Sequence, residues 1–220
     1  QLAVFDKYEK LIAQYEAAGN RDAELLTRLE RLMYWQRNGW RYPQQLSDEQ
    51  VLEQLQAWAK AYDGVDACAA LYVSWADFYH QKQDFVSEIK LIEEGIKRYP
   101  SSEFTADLKD KQRIVCMPSL SVQVTHPYPQ TEAELRVTSK NLKGATLEWY
   151  RLNLKASSSV FAQNLEHADL IKKYGTLVDK VRLDLPDTPT YKDTVSVLTS
   201  RMPEAGIYIL KSIPDGYQDK

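Results

Sequence analysis

The chain has 220 residues, a length that suits one large domain or two smaller ones. Its hydrophobic fraction of 44% and charged fraction of 27% exclude wholesale disorder, and no apolar run approaches the ~20 residues that a membrane-spanning helix needs. With 28 basic and 31 acidic residues the net charge is -3, so there is no basic excess to attract a nucleic acid.

The composition changes at one place, the dipeptide Met117-Pro118. Four of the five Trp but only two of the nine Pro precede it. The period of the apolar residues changes there from 3.6 to 2, which is the change from helix to strand. We therefore expect two domains, an α-helical one over residues 1–116 and a β domain over residues 117–220.

Six helices are predicted in the first domain. The first ends at Gly19-Asn20, and the second ends near Asn38, where a loop begins that runs to Leu46. Ser47, with Gln50 three residues later, forms a capping box that begins the third helix, which extends to about Tyr62. The remaining helices are predicted over residues 66–81, 85–99 and 102–115.

Helices four and five resemble one tetratricopeptide repeat. In that 34-residue motif, large residues on the first helix pack over small residues on the second. Glu88 departs from the motif because it stands where a small residue is expected. Since one hairpin cannot bury its own apolar face, we expect a tetratricopeptide-like array of stacked hairpins. The residues at the spacings of the motif are Tyr72, Trp75, Ala76, Tyr79, Ile92, Gly95 and Pro100.

The second domain shows the alternation of half-buried antiparallel strands. In the third strand the phase slips between Trp149 and Tyr150, which a bulge explains. A long crossing loop from Ala156 to Asp169 is expected to hold a short helical segment. Six short strands separated by turns indicate an immunoglobulin-like sandwich. The strands are predicted over residues 119–125, 132–138, 145–154, 177–185, 194–199 and 207–213.

The motifs of the common catalytic sites are missing from the sequence. It has no glycine-rich phosphate loop, and its three histidines are too far apart for a zinc site. The serine run from Ser157 to Ser159 has no flanking Gly of the nucleophile elbow, so we interpret it as a loop. No catalytic residue is predicted. The histidines are His80, His126 and His167.

The acidic and aromatic clusters each allow a functional and a purely structural interpretation. Glu93 and Glu94 diverge by about 100° on a helix and cannot both face one substrate atom, so we interpret them as a solvated face. Asp187 and Asp193 flank a proline turn; turn formation explains them better than a cation site, and no metal or cofactor is predicted. The helical spacing of the three aromatic residues of helix four favours core over the wall of a peptide groove. They are Tyr72, Trp75 and Tyr79.

Neither the start of the chain nor its cysteines identify the compartment. The chain begins with Gln1-Leu2-Ala3, so we expect an excised or processed chain, which would be extracytoplasmic if a signal had preceded it. Cys68 and Cys116 lack metal-ligand or Cys-x-x-Cys spacing. Buried thiols are favoured over a single disulfide.

Four stretches of the chain carry a resemblance to a known family; they run from Ala18 to Ala23, from Glu94 to Pro100, from Arg113 to Val124 and from Pro203 to Leu210. With these stretches, both halves of the chain, in this order, resemble the amino-terminal region of the large bacterial alpha-macroglobulin proteins of the Bacteroidetes type. In that family a helical, tetratricopeptide-like leader precedes a series of macroglobulin sandwich domains. The last stretch is similar to a common macroglobulin signature, in which Pro203 and Gly206 lead into a strand.

The resemblance implies a non-catalytic, extracytoplasmic scaffold. Full-length members trap proteases after cleavage of a bait region, and many use a Cys-x-x-Gln thioester. Neither Cys68 nor Cys116 begins that pattern. A macroglobulin domain has a seventh strand, so we expect a fragment that lacks the closing strand. Its partners would be target proteases, bound by the full-length molecule, and a protein in the helical groove.

Two alternatives compete with the scaffold. One is a tetratricopeptide-like adaptor that captures a peptide in the helical groove and uses the sandwich as a mount. Such a groove would present Arg, Lys or Asn side chains to the peptide. The other is a carbohydrate-active enzyme, which would need paired carboxylates in one cleft. The acids of this chain fall at turn and strand-face positions, so the enzyme is the least favoured.

Overall fold

The computed structural model describes residues 2–38, 46–124, 132–153, 166–186, 189–201, 204 and 206–216. The chain divides into two units, Gln1–Cys116 and Met117–Lys220. In the described residues the first unit is built of six helices, and the second has six strands and one helix. The expected order, α followed by β, is therefore confirmed.

The helix boundaries follow from local capping. Gly19 has φ = +68°, a conformation that glycine adopts without strain, and it ends the first helix. The predicted capping box is present, because Ser47 and Gln50 exchange side chain to backbone hydrogen bonds at the start of the third helix. The helices are α1 (Leu2–Ala17), α2 (Arg21–Asn38), α3 (Asp48–Ala61), α4 (Cys68–Gln81), α5 (Phe85–Arg98) and α6 (Thr105–Cys116).

Two helices begin later than the sequence indicated. Asp66 and Ala67 form a turn instead of the first residues of α4, and the N–H of Ala67 donates to the Asp22 carboxylate at 2.9 Å. The hydroxyl of Ser102 donates to the backbone carbonyl of Asp66 at 2.8 Å, which holds the segment before α6 against this turn. These long-range bonds replace the first turns that the local pattern predicted.

Helix α4 is the centre of the first unit. It contacts α2, α3, α5 and α6. A helix that is apolar around most of its circumference is stable only when other helices surround it. Its buried residues are Cys68, Ala69, Ala70, Leu71, Tyr72, Ala76 and Phe78.

Gly95 allows α5 to approach α4 and α6 closely. A Cβ atom at this position would lie 3.0 Å from the Tyr72 ring and 2.9 Å from Leu108 Cδ1. Tyr72 is 2% exposed and Leu108 is inaccessible to solvent, so neither side chain has room to move outward. The absent side chain is therefore a requirement of the packing.

The strands of the second unit form two three-stranded antiparallel sheets. The strand orders are β1-β2-β5 and β4-β3-β6. The first, second and fifth strands thus lie in one sheet and the third, fourth and sixth in the other. The elements are β1 (Ser119–Val124), β2 (Glu132–Lys140), β3 (Gly144–Leu152), α7 (His167–Tyr174), β4 (Gly175–Asp184), β5 (Thr194–Arg201) and β6 (Tyr208–Pro214).

The core of the second unit is made by alternate residues of its strands. Leu135 and Val137 of β2 are buried, as the alternation predicted, and they cluster with Leu147 and Trp149 of β3. Val124, at the end of β1, differs from the prediction because it is 39% exposed. The alternation thus identifies the buried face of β2 and fails at the end of an edge strand.

The register of β3 against β4 shifts between Trp149 and Tyr150, where the sequence predicted a bulge, but the extra residue is Val178 of β4 and β3 stays in regular register with β6. Beyond the shift, Leu152 is buried in a small separate cluster with Leu170 of α7. The sequence placed a helical segment between Ala156 and Asp169, whereas α7 begins at His167. Residues 156–165 of the predicted crossing loop, and Leu154 at the predicted end of the third strand, lie outside the described residues.

The replacement Gly95→Ala tests the packing of α5. In an exposed helix the change would stabilise by about 1 kcal/mol, whereas an extra carbon in a filled core costs about 1–3 kcal/mol. We expect a net loss of about 1 kcal/mol in the free energy of unfolding, measured by urea denaturation. The control is Lys90→Ala at an exposed position of α5. A gain in stability for Gly95→Ala would contradict this account of the contact.

Candidate functional site

A cleft of about 350 Å³ lies in the first unit between α3, α4 and α5. Its walls combine an aromatic surface from α4 with charged side chains from α3 and α5 and from the turn after α3. This combination of aromatic and charged groups makes the cleft the candidate binding site. The lining residues are Gln56, Ala59, Lys60, Asp63, Tyr72, Trp75, Glu94 and Arg98.

The aromatic surface belongs to three residues of α4. The ring centroids of Tyr72 and Trp75 are 6.0 Å apart, and Trp75 stacks on Tyr79 at 6.4 Å with an interplanar angle of 27°. The expectation that these residues are core is confirmed for Tyr72. It is only partly right for Trp75 and Tyr79, which are half-buried beside the core. The half-buried indole ring lines the cleft.

Arg98 connects the charged groups of the cleft. Its guanidinium donates to Asp63 Oδ1 at 2.7 Å and to Glu94 Oε1 at 3.2 Å. It also donates to the Tyr72 hydroxyl at 3.3 Å, and that hydroxyl donates to Glu94 at 3.0 Å. Burial, followed by this bond to Glu94, raises the pKa of Tyr72 to about 12. The hydroxyl is therefore a hydrogen-bond donor at neutral pH.

Two donors of the cleft are unpaired within the part of the chain that the structure describes. The exposed Lys60 ammonium has no carboxylate within 4.0 Å. The Nε1 of Trp75 is buried and has no hydrogen-bond partner. An unpartnered buried N–H costs roughly 1–3 kcal/mol, and because this atom is buried it is not open to a ligand in the cleft. Among the described residues the Lys60 ammonium is therefore the donor of the cleft that the protein itself does not use.

Glu88 is a buried charged residue outside the cleft. It is 1% exposed, and both of its carboxylate oxygens lie near Nδ1 of His80, at 3.0 and 3.1 Å. Burial raises the pKa of Glu88, and the neighbouring His80 opposes this shift. The sequence indicated Glu88, because it is a charged residue at a small-residue position of the repeat. It did not indicate the partner His80, because the two residues lie on different helices and no short motif connects them.

The structure also places the other candidate residues of the sequence. Glu93 and Glu94 are both exposed, and only Glu94 belongs to the cleft. Both cysteines are thiols; Cys68 is buried and Cys116 is half-buried, and burial raises the pKa of Cys68. His167 and Asp193 are exposed in the second unit. Residues 126, 157–159 and 187, which include the serine run, lie outside the described residues.

The network around Arg98 was missed at the level of sequence. Asp63 and Arg98 are 35 residues apart, and no short motif connects them. The turn at Asp63-Gly64 gave a signal for a helix end and none for a charged partner. In the described residues, no three His, Cys, Asp or Glu side chains come together as a metal site would require. None of the described helices combines the length and apolarity of a membrane span.

Comparison with known proteins gave no match: no family model, no curated protein and no solved structure is significantly similar to the chain.

We expect Glu88→Gln to change how stability depends on pH. A carboxyl whose pKa is raised by folding stabilises the protein below its unfolded pKa, here 4.5, and this contribution is lost as the pH rises through the folded value. Gln carries no charge at any pH and keeps a polar group beside His80. Relative to the wild type, the variant should therefore gain stability as the pH is raised from about 4 to about 8.

The measurement is urea denaturation of both proteins at a series of pH values. Glu93→Gln is the matched control, because Glu93 lies on the same helix and is exposed. A difference between Glu88→Gln and wild type that stays constant over the whole pH range would contradict the burial of an ionisable group at this position.

Proposed function

We propose that the chain is a non-catalytic scaffold segment of a protease-trapping protein of the alpha-macroglobulin type, in the endopeptidase inhibitor family. The observation that carries the proposal is the order of the two units: a unit of α-helices is followed by two three-stranded antiparallel sheets with strand orders β1-β2-β5 and β4-β3-β6. This order of units corresponds to that of the amino-terminal leader and first macroglobulin domain. We place the protein outside the cytoplasm on the same basis.

Support for a tetratricopeptide-like first unit comes from the contact at Gly95. The large Tyr72 of α4 packs on the small Gly95 of α5, which is the arrangement of the repeat. Glu88 departs from it, because a large charged residue is buried where the repeat has a small one. The likeness is therefore to the packing of one hairpin.

Support for a macroglobulin-like second unit comes from the crossing of its strands. Immunoglobulin-like sandwiches also exchange strands between two sheets in this way. In those folds the seventh strand pairs with the sixth, and β6 here pairs only with β3 among the described residues. A closing strand would add at the edge of β6 that has no partner strand among the described residues.

Support for a role without catalysis comes from the state of the charged groups in the cleft. Asp63 and Glu94 each accept hydrogen bonds from Arg98 and from a tyrosine hydroxyl. Both carboxylates are therefore engaged by donors of the protein itself. An arrangement of this kind is better suited to holding a ligand than to moving a proton.

A second candidate function is a tetratricopeptide-like adaptor that binds a peptide in the helical unit. The cleft favours it specifically, because the half-buried ring of Trp75 lines it together with Lys60, which has no ion-pair partner among the described residues. An aromatic face and a cationic side chain are common elements of peptide recognition. In this function the sandwich is a mount for the helical unit.

The scaffold is tested with the full-length gene product and a panel of endopeptidases. A trapped protease keeps its active site but is shielded from large substrates. We therefore expect the full-length protein to suppress cleavage of a protein substrate and to leave hydrolysis of a small peptide substrate intact. The 220-residue chain alone should suppress neither.

The heat-denatured full-length protein is the control in the same assay. Equal inhibition of both substrates would indicate an active-site inhibitor and would contradict trapping. Turnover of any substrate by the 220-residue chain would contradict a role without catalysis.

A further inference from the structure

A second cavity, of about 200 Å³, lies between the two sheets of the second unit, and we call it the inter-sheet cavity. Its apolar lining includes Leu135, Leu147 and Trp149, which are buried in the core. Its sides are formed by β4 and β5, each of which has one partner strand among the described residues. Val181 of β4 also lines it and is 38% exposed, so the inter-sheet cavity opens to solvent between these two strands.

The inter-sheet cavity exists because small residues face the inside of the first sheet at this level. Ser200 of β5 lies directly opposite Ala133 of β2, whereas the corresponding pair two residues along is Leu198 and Leu135. The hydroxyl of Ser200 is buried and has no hydrogen-bond partner among the described residues, so no polar contact explains a serine here. A larger apolar residue at this position would fill the space.

Asp179 faces the inter-sheet cavity from β4. It lies directly opposite Trp149, and the next residue, Lys180, forms an ion pair on the other face of the sheet. Oδ1 of Asp179 accepts from the backbone N–H of Lys180 at 2.8 Å. No Lys, Arg or His of the described residues lies within 4.0 Å of this carboxylate, so its charge is unpaired beside an apolar cavity.

The group that complements this arrangement is a cation on an apolar stem. An ammonium group forms charge-assisted hydrogen bonds with a carboxylate, and the indole ring of Trp149, opposite Asp179, is also a favourable neighbour for a cation. A purely apolar ligand would cover the carboxylate without pairing it. An anion would be repelled by the carboxylate.

We propose that the inter-sheet cavity binds a primary ammonium ion on an aromatic or short aliphatic stem, with Asp179 as its counter-charge. An apolar cavity of roughly 150 Å³ is large enough for benzene, so about 200 Å³ accommodates one ring or a short chain of carbons. The stem would contact Leu147, Trp149 and Leu198. Free amines and the lysine side chain of another protein share this chemistry.

An inward-facing charge on an edge strand has a second use, because it hinders pairing with the edge of another sheet. That use needs the charge of Asp179 alone and places no requirement on Ser200 in the other sheet. Binding in the inter-sheet cavity needs both residues. The two roles therefore predict different results when the two residues are replaced.

The proposal is tested by titrating the chain with phenethylamine and following the indole N–H signals by two-dimensional proton–nitrogen NMR. Trp149 is the one tryptophan of the second unit, and the loss of its signal in Trp149→Phe identifies it. We expect this signal to shift and the other four indole signals to stay in place. Phenethyl alcohol, in which a hydroxyl replaces the ammonium, should bind about tenfold more weakly, since it cannot neutralise Asp179.

A second pair of probes tests lysine as the source of the ammonium. Acetyl-lysine methylamide, acetylated on its α-nitrogen, presents a free lysine side chain, and the matching norleucine compound lacks the ammonium. Binding by phenethylamine or by the lysine compound, each in preference to its neutral partner, supports an ammonium site. The compound that binds more tightly indicates whether a free amine or a lysine side chain is the source.

Variants of the chain assign the contacts to their residues. Asp179→Asn keeps the shape of the side chain and removes its charge, so it should weaken phenethylamine binding about tenfold and leave phenethyl alcohol binding unchanged. Ser200→Val fills part of the inter-sheet cavity and should weaken the binding of both compounds about tenfold. The matched control is Asp184→Asn, which makes the same charge change at an exposed position of β4 outside the cavity and should change neither affinity.

Three results would each overturn the proposal. They are equal affinities for both compounds of each probe pair, equal affinities of Asp179→Asn and Asp184→Asn for phenethylamine, and no shift of the Trp149 signal at millimolar concentrations of either ammonium compound. In the second case, self-association of Asp179→Asn would assign the carboxylate to the protection of the β4 edge. The backbone amide signals show whether each variant is folded, and Asp179→Asn decides the result if Ser200→Val is unfolded.

The inter-sheet cavity belongs to the second unit, and the titrations use the chain itself. Their result is therefore independent of whether the full-length protein traps proteases. Ammonium binding by a chain whose full-length protein traps nothing would overturn the scaffold and leave the cavity ligand standing.

Discussion

The approach of α5 to α4 and α6 at Gly95 is the constraint on which the helical unit depends. The Tyr72 ring and Leu108 occupy the space that a side chain would take. Because the Tyr72 ring is held there, its hydroxyl lies beside Glu94 and Arg98, the neighbours of Gly95 on α5. The position of the Tyr72 hydroxyl in the cleft thus follows from a contact in the core.

The two ends of α5 are attached to α4 by different kinds of interaction. Near Gly95 the contact is apolar and close, whereas Glu88, two turns earlier, buries its carboxyl group beside His80. A buried polar pair is weak support for stability, but it favours one arrangement of the two helices over others. The crossing is therefore held by shape at one end and by polar complementarity at the other.

Local features of the fold were predictable and long-range ones were not. The capping box at Ser47 and the end of α1 at Gly19 each depend on neighbouring residues, so their signals are complete within a few positions. The late start of α4 depends on Asp22, which lies 45 residues before Ala67. The spacing of residues in the sequence likewise gives no indication of the hydrogen bond from Arg98 to Asp63. The candidate site is thus a product of tertiary contacts, and the sequence indicated only its aromatic wall.

The two faces of β3 serve two separate clusters. Leu147 and Trp149, on one face, belong to the core between the sheets, whereas Leu152, on the other face, joins Leu170 of α7. The extra residue of the bulge is Val178 of β4, so β3 itself keeps an unbroken alternation. Deletion of a single amino acid from β3 would reverse the facing of every later residue of the strand, so the length of this segment is under stricter constraint than its composition.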